Sequence, residues 1–162
     1  MPTANDVIVH TLTRSKLMLK LYTQDLKPAE YLYRASEKAN CVAWLLGHLA
    51  LSDRTVLERL GSRDLPELPD GFAKRFSRDA GCPQADDFGD VSILWPLFEK
   101  HRDMLIATVQ RAPQELLDKP MEKPHPMFGN LGELVNFIAL HSAMHAGQIT
   151  LIRRSLGYPP LV

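Results

Sequence analysis

"NLGELVNFIALHSAMHAGQITLIRRSLG", residues 130–157, carries a full set of helix signals and the most suggestive pair of polar side chains in the chain. Asn130 followed three places later by Glu133 predicts a capping box, each side chain reaching the other's free backbone N–H. Arg153 and Arg154 suit the negative end of the helix dipole, and Gly157 before Pro159 and Pro160 is a strong stop. The roughly 26 residues so bounded span about 39 Å at 1.5 Å per residue, the length of a bundle helix. Steps of four and three place Leu134, Ile138, His141, His145, Gln148 and Ile152 on one seam. Both histidines therefore sit where the pattern asks for core.

The four-residue spacing alone is weak: six His in 162 residues give about 0.2 such pairs by chance. Their placement among apolar residues is what matters. A buried imidazole without partners costs about 1–3 kcal/mol per unsatisfied group, and two of them one turn apart repel when both are protonated. A divalent cation removes both penalties by taking a lone pair from each ring, and His at i and i+4 can reach one ion at about 2.0–2.1 Å. Hydrogen bonds from each imidazole to neighbouring side chains would also remove them, so that reading stands beside the metal.

Three further segments show helical periodicity, and none alternates with period two. The first runs from about Asn5 to Gln24, with Ile8, Leu12, Leu19 and Tyr22 inward and Leu17 and Leu21 beside them. The second starts near Asn40 as N-cap and ends at Gly61, with Leu45, Leu49, Ser52, Val56 and Leu60 on its face and His48 among them. The third begins between Ser92 and Pro96 and runs to about Arg111, with Leu94, Phe98, His101, Leu105 and Thr108 on one side. Residues 62–90 hold Pro66, Pro69 and Pro83 with Gly71, Gly81 and Gly89, a long irregular connection of the kind that crosses a bundle or covers a site. A turn of helix, "PQELLD", is expected after Ala112, followed by a proline-rich loop.

Composition narrows the function. The 162 residues make one ordinary domain, and 19 basic against 19 acidic residues leave no charge footprint for nucleic acid or an anionic membrane. No run approaches 18 apolar residues, the two cysteines form no CxxC, and no leader is evident at the N-terminus. The expectation is a soluble cytoplasmic protein, without membrane or nucleic-acid partners, acting on a small molecule.

Two histidines rarely hold a metal tightly, so a third ligand must come from another helix. His48 is the leading candidate and His101 the competitor, whereas His10 and the interproline His125 read as surface or structural. The pair is not a zincin motif, because Ser142 follows His141 where a metalloprotease carries its Glu.

At these residues the chain resembles a known family. "WLLGHLALSDRTVL", residues 44–57, and "HSAMHAGQITLIRRSLG", residues 141–157, look like the two signature stretches of the DinB-like (DinB/YfiT) superfamily of metalloenzymes. The resemblance implies an all-α fold over residues 1–162: a four-helix bundle in up-down-down-up order, with a long crossover between the second and third helices that the 29 residues from Ser62 to Asp90 would supply. It also implies metal ligation by His48, His141 and His145, with Gln148 of "HAGQ" bonding a ligand's second nitrogen or packing at a helix interface. Zinc or nickel come first as the divalent metal, with iron or manganese as alternatives. A low-molecular-weight thiol cosubstrate and a homodimer are implied in the same way.

Three neutral imidazoles leave an ion doubly positive with an open position, the mark of a catalytic site. Such an ion brings water to a pKa near 7 or binds a thiol as thiolate. The expectations are thus a thiol-dependent transferase or a small-molecule hydrolase, or else a non-catalytic, stress-associated metal-binding homodimer. Cys41, two turns before His48, reads as a small apolar filler and Cys82 as a loop thiol. Asp53, Glu58, Asp86, Asp87 and Asp90 read as solvated carboxylates, so no general acid or base is assigned.

Overall fold

Thr3 and Asp6 start the first helix. In the computed structural model, which describes residues 1–80 and 83–161, the Thr3 side chain accepts from the Asp6 N–H and the Asp6 carboxylate from the Thr3 N–H. Helix α1 then spans Ala4–Thr23. Leu12, Leu19 and Tyr22 are buried as the periodicity predicts, but Leu17 and Leu21 are exposed, at 46% and 39%. They lie on the outer face because the buried side also takes in Ser15. Asn5 ties the helix start to another element by donating to the Val109 and Ala112 carbonyls, both at 2.9 Å.

Residues 28–32 form a single 3₁₀ turn, and α2 follows over Val42–Arg59. Its N-cap is Cys41 rather than Asn40, and no side chain caps it. Cys41 is fully buried, so this helix start is held by packing, and the filler role expected of it fits. At the far end Gly61 takes φ +92°, the left-handed geometry that ends many helices. The crossover contains the one-turn helix α3 (Phe72–Arg75) and three 3₁₀ turns, the last of which leads into α4 (Leu94–Arg111). Phe72, Phe76 and Phe88 are buried, so aromatic anchors pin this long connection to the bundle.

After α5 (Gln114–Leu117) the chain forms a feature that the period-two test missed, a two-stranded antiparallel hairpin of β1 (Pro120–His125) and β2 (Phe128–Asn130). Its pairing is irregular and the prolines in β1 hide any alternation. Helix α6 covers Leu131–Ser155, and Asn130 caps it by accepting from the Glu133 N–H at 2.8 Å. The reciprocal arm differs from the expected box: Glu133 accepts from the Gly129 N–H at 2.6 Å.

Helix directions follow from which ends share a core. One apolar cluster takes Leu19 and Tyr22 from the end of α1, Leu45 and Leu49 from the start of α2, Leu94 and Phe98 from the start of α4, and Ile149 and Ile152 from the end of α6. The other takes Leu12, Val56, Leu105 and Leu134 from the opposite halves. Hence α1 and α6 run one way and α2 and α4 the other, the up-down-down-up order. Helix α2 packs chiefly on α4 and α1 on α6, so parallel neighbours form the main contacts.

Between the two clusters lies a buried polar layer to which each of the four long helices contributes one residue. Arg102 of α4 is fully buried and makes a bidentate pair with Asp53 of α2, at 2.7 and 2.9 Å. It also donates from Nη1 to Ser15 of α1 and from Nη2 to Ser142 of α6, both at 2.8 Å. Asp53 is therefore not the solvated carboxylate the sequence suggested; its side chain is 0% exposed. Burial pushes this carboxyl up and the Arg102 guanidinium opposes the shift. Ser15 and Ser142 in turn donate their own protons to the carbonyls of Leu12 and Ile138, so each hydroxyl both accepts and donates.

Candidate metal centre

His48 lies on the flank of α2 that faces α6, and His141 and His145 lie one turn apart on α6. The three rings meet edge to face: His48 has its centroid 5.1 Å from His141 and 5.4 Å from His145, and the α6 pair are 4.5 Å apart. One ligating nitrogen from each lies within 4.8 Å of the others, and Nε2 of His141 and Nε2 of His145 are 2.9 Å apart. No other group of three such side chains occurs among the described residues.

Two of the rings are locked by their other nitrogen. His48 Nδ1 lies 3.0 Å from the Phe76 carbonyl oxygen and His145 Nδ1 lies 2.9 Å from Gln148 Oε1. An acceptor at Nδ1 places the proton there and leaves the Nε2 lone pair free. Gln148 thus bonds the second nitrogen of His145, one of the two roles expected of it. Phe76 was invisible as a site residue, because its contribution is a backbone carbonyl delivered by the crossover. Gly47 makes that delivery possible: a Cβ there would stand 2.4 Å from the Phe76 ring. The pair "GH" at 47–48 is the trace of this in the sequence, though its meaning needs the crossover in place.

Aromatic rings set the walls. Trp44 stacks on His48 at 4.7 Å with an 8° interplanar angle, and Phe137 lies parallel to His141 at 6.2 Å. Neither wall seals the cluster, since His48 and His141 remain partly exposed while His145 is buried. Burial holds all three imidazoles neutral. His141 is pushed down to about 3, first by burial and then by the neighbouring His145 and His48, and burial also lowers His48 and His145. Lone pairs are therefore available at neutral pH.

The donor set fits a divalent ion. Imidazoles bound at 2.0–2.1 Å around a tetrahedral centre have nitrogens roughly 3.3 Å apart. The separations here, from 2.9 Å to within 4.8 Å, bracket that value.

The remaining candidates lie elsewhere. His101 is fully buried on α4, with Nδ1 2.8 Å from the Leu97 carbonyl and Nε2 unpartnered, and it does not join the cluster. His10 pairs with Arg14 on the exposed side of α1, and His125 of the hairpin stacks on Phe128 at 3.8 Å. Glu58 is an exposed partner of Arg54, and Asp86, Asp87 and Asp90 are exposed in the crossover. Cys82 falls outside the described residues.

Four long helices in this order, with three imidazoles from α2 and α6 converging in a partly open site, define a histidine-cluster bundle protein. The model of the DinB superfamily matches residues 11–149, and the chain belongs to that family. Among solved structures, YfiT from Bacillus subtilis is similar, with 16% identity, a TM-score of 0.67, and coverage of 96% of this chain and 89% of that one. That protein is described as "a probable metal-dependent hydrolase with an unusual four-helix bundle topology", and at this identity the likeness concerns the fold. No curated protein sequence matches the chain. No helix among the described residues is long and apolar enough to cross a membrane.

Proposed function

We propose that this protein is a metal-dependent enzyme acting on a small molecule, with a divalent ion held by Nε2 of His48, His141 and His145. One observation carries the reading: Phe76 and Gln148 fix the proton of two rings on Nδ1, so that the remaining nitrogens of His48 and His145 gather with the His141 ring, where the one hydrogen-bond partner of His145 Nε2 is another imidazole of the cluster. The family membership and the description of YfiT support the same class.

When bound, the metal supplies Lewis acidity and a lowered pKa for a coordinated water or thiol. This chain's residues supply the rest. Phe76 and Gln148 orient the rings, Trp44 and Phe137 limit the approach to the open side, and the partial exposure of His48 and His141 admits a substrate. Hydrolysis of a small electrophile and transfer of a low-molecular-weight thiol both fit this arrangement, with zinc or nickel the metals of choice for three imidazoles. A homodimer belongs to the same proposal. Leu140, Met144 and Leu151 stand exposed at helical spacing on the outer face of α6, as do Leu17 and Leu21 on α1.

Elemental analysis of protein purified without an affinity tag tests the ligand set, with about one equivalent of metal expected. His145→Ala should lose the metal and every turnover found in a panel of thiols and electrophiles. Metal retained by that variant would refute the ligand set, and turnover retained without metal would place the chemistry elsewhere. Sedimentation of the native protein, compared with Met144→Glu, reads the dimer.

A further inference from the structure

A cavity of about 410 Å³ opens at the other end of the bundle, between the end of α2, the hairpin and the start of α6. Its floor is apolar, built by Phe128 and Leu131, both buried, with Met121 beside them. Around the rim stand three cations, Arg59 from α2 and Lys119 and Lys123 from the hairpin segment. The one acid on the rim, Glu122, pairs with none of them, and none of the three joins any ion pair among the described residues. Other cations close to the bundle have acidic partners: Lys16 has Asp103, Arg54 has Glu58, Arg102 has Asp53 and Arg153 has Asp25. Three cations without an acidic partner therefore stand at a pocket that also holds the apolar Phe128, Leu131 and Met121 and the His125 ring, on a chain whose net charge is zero.

That combination has a chemical meaning. Small-molecule sites are apolar cavities of roughly 300–1,000 Å³ with a few placed polar groups, and uncompensated cations at a low-dielectric opening attract and orient anions. We infer that this pocket binds small amphipathic monoanions of the carboxylate class, with the apolar part on Phe128 and Leu131 and the carboxylate between Arg59 and the two lysines. Leu131 stands about 15 Å along α6 from His141 at 1.5 Å per residue, so this site does not rest on the metal reading.

Octanoate is a suitable probe, because an eight-carbon chain suits the floor and a single carboxylate suits the rim. In a backbone amide NMR titration of the full chain, octanoate should produce saturable shifts at Phe128, Leu131 and the β1 residues. Octylamine and inorganic phosphate should bind at least tenfold more weakly, the first for its charge and the second for its lack of an apolar part. The Arg59→Gln/Lys123→Gln double variant, altered only at exposed positions, should lose about tenfold in octanoate affinity, and Lys119→Gln part of that. His145→Ala should leave octanoate binding unchanged, which separates failure here from failure of the metal site. Three results would overturn the inference: octanol binding as tightly as octanoate, shifts confined to another face, or no saturable binding up to about 1 mM.

Discussion

The buried layer around Arg102 and the cluster around His141 lie on the same helices, with Ser142 next to His141 in sequence, yet they handle polarity in opposite ways. In the layer every polar side-chain atom has a partner: Arg102 meets Asp53, Ser15 and Ser142, and each serine hands its proton to its own helix. In the cluster Nε2 of His141 and Nε2 of His145 face one another at 2.9 Å, with no carboxylate or carbonyl to settle them. A saturated polar group inside a bundle holds helices in register, and an unsaturated one held neutral by burial is poised for a ligand. The comparison predicts that disturbing the layer costs stability, whereas disturbing the cluster costs binding.

Arg102→Met should break the comparison most severely. It strands Asp53 at 0% exposure without a counter-charge, and removing one partner of a buried pair costs about 3–5 kcal/mol. Urea denaturation of the metal-free protein reads the loss, and adding Asp53→Leu should restore much of it. Gly47→Ala comes next, at about 1–3 kcal/mol, because the new methyl collides with the Phe76 ring. It also pulls the Phe76 carbonyl from His48, so zinc affinity measured by competition with a chelator should fall beyond what Leu51→Ala produces.

Gln148→Ala tests the cluster without touching a ligand. Freeing His145 Nδ1 should weaken metal binding about 10–100-fold while leaving the denaturation midpoint almost unchanged, because Gln148 is exposed. A fall in stability equal to the fall in affinity would mean that the residue serves the fold. The last test concerns pH. His141 has its folded value lowered to about 3 from 6.5, so the unfolded chain takes up the proton first as pH drops. Stability from this group is complete above pH 6.5 and drains as pH falls toward 3, by at most about 1.4 kcal/mol per unit. The melting temperature of metal-free protein should therefore fall from pH 7 to pH 5, and His141→Ala should flatten that slope.

The legibility of these regions in the sequence follows from how each is built. Helix α6 was readable because its cap, its seam and its stop are local, and Gly61 and Gly157 mark helix ends through left-handed geometry that needs no distant partner. His48, His141 and His145 were readable because an imidazole on an apolar seam demands an explanation. Asp53 was misread as a surface charge, since its burial depends on Arg102, 49 residues away and on another helix. The start of α2 was misplaced by one residue because Cys41 is held there by packing and not by a cap. The hairpin escaped because its pairing is irregular and crosses prolines.

The sequence by itself determined an all-α bundle, its long crossover and the three histidines, because periodicity and spacing place side chains on faces of a helix whatever surrounds it. Tertiary structure alone decided which ring nitrogens meet an acceptor, what closes the core between its two apolar clusters, and where the cations beside the hairpin stand. Those depend on contacts between residues far apart in the chain: a carbonyl from Phe76 reaching His48, a guanidinium from Arg102 reaching three other helices, and Arg59 meeting the hairpin across the bundle's end.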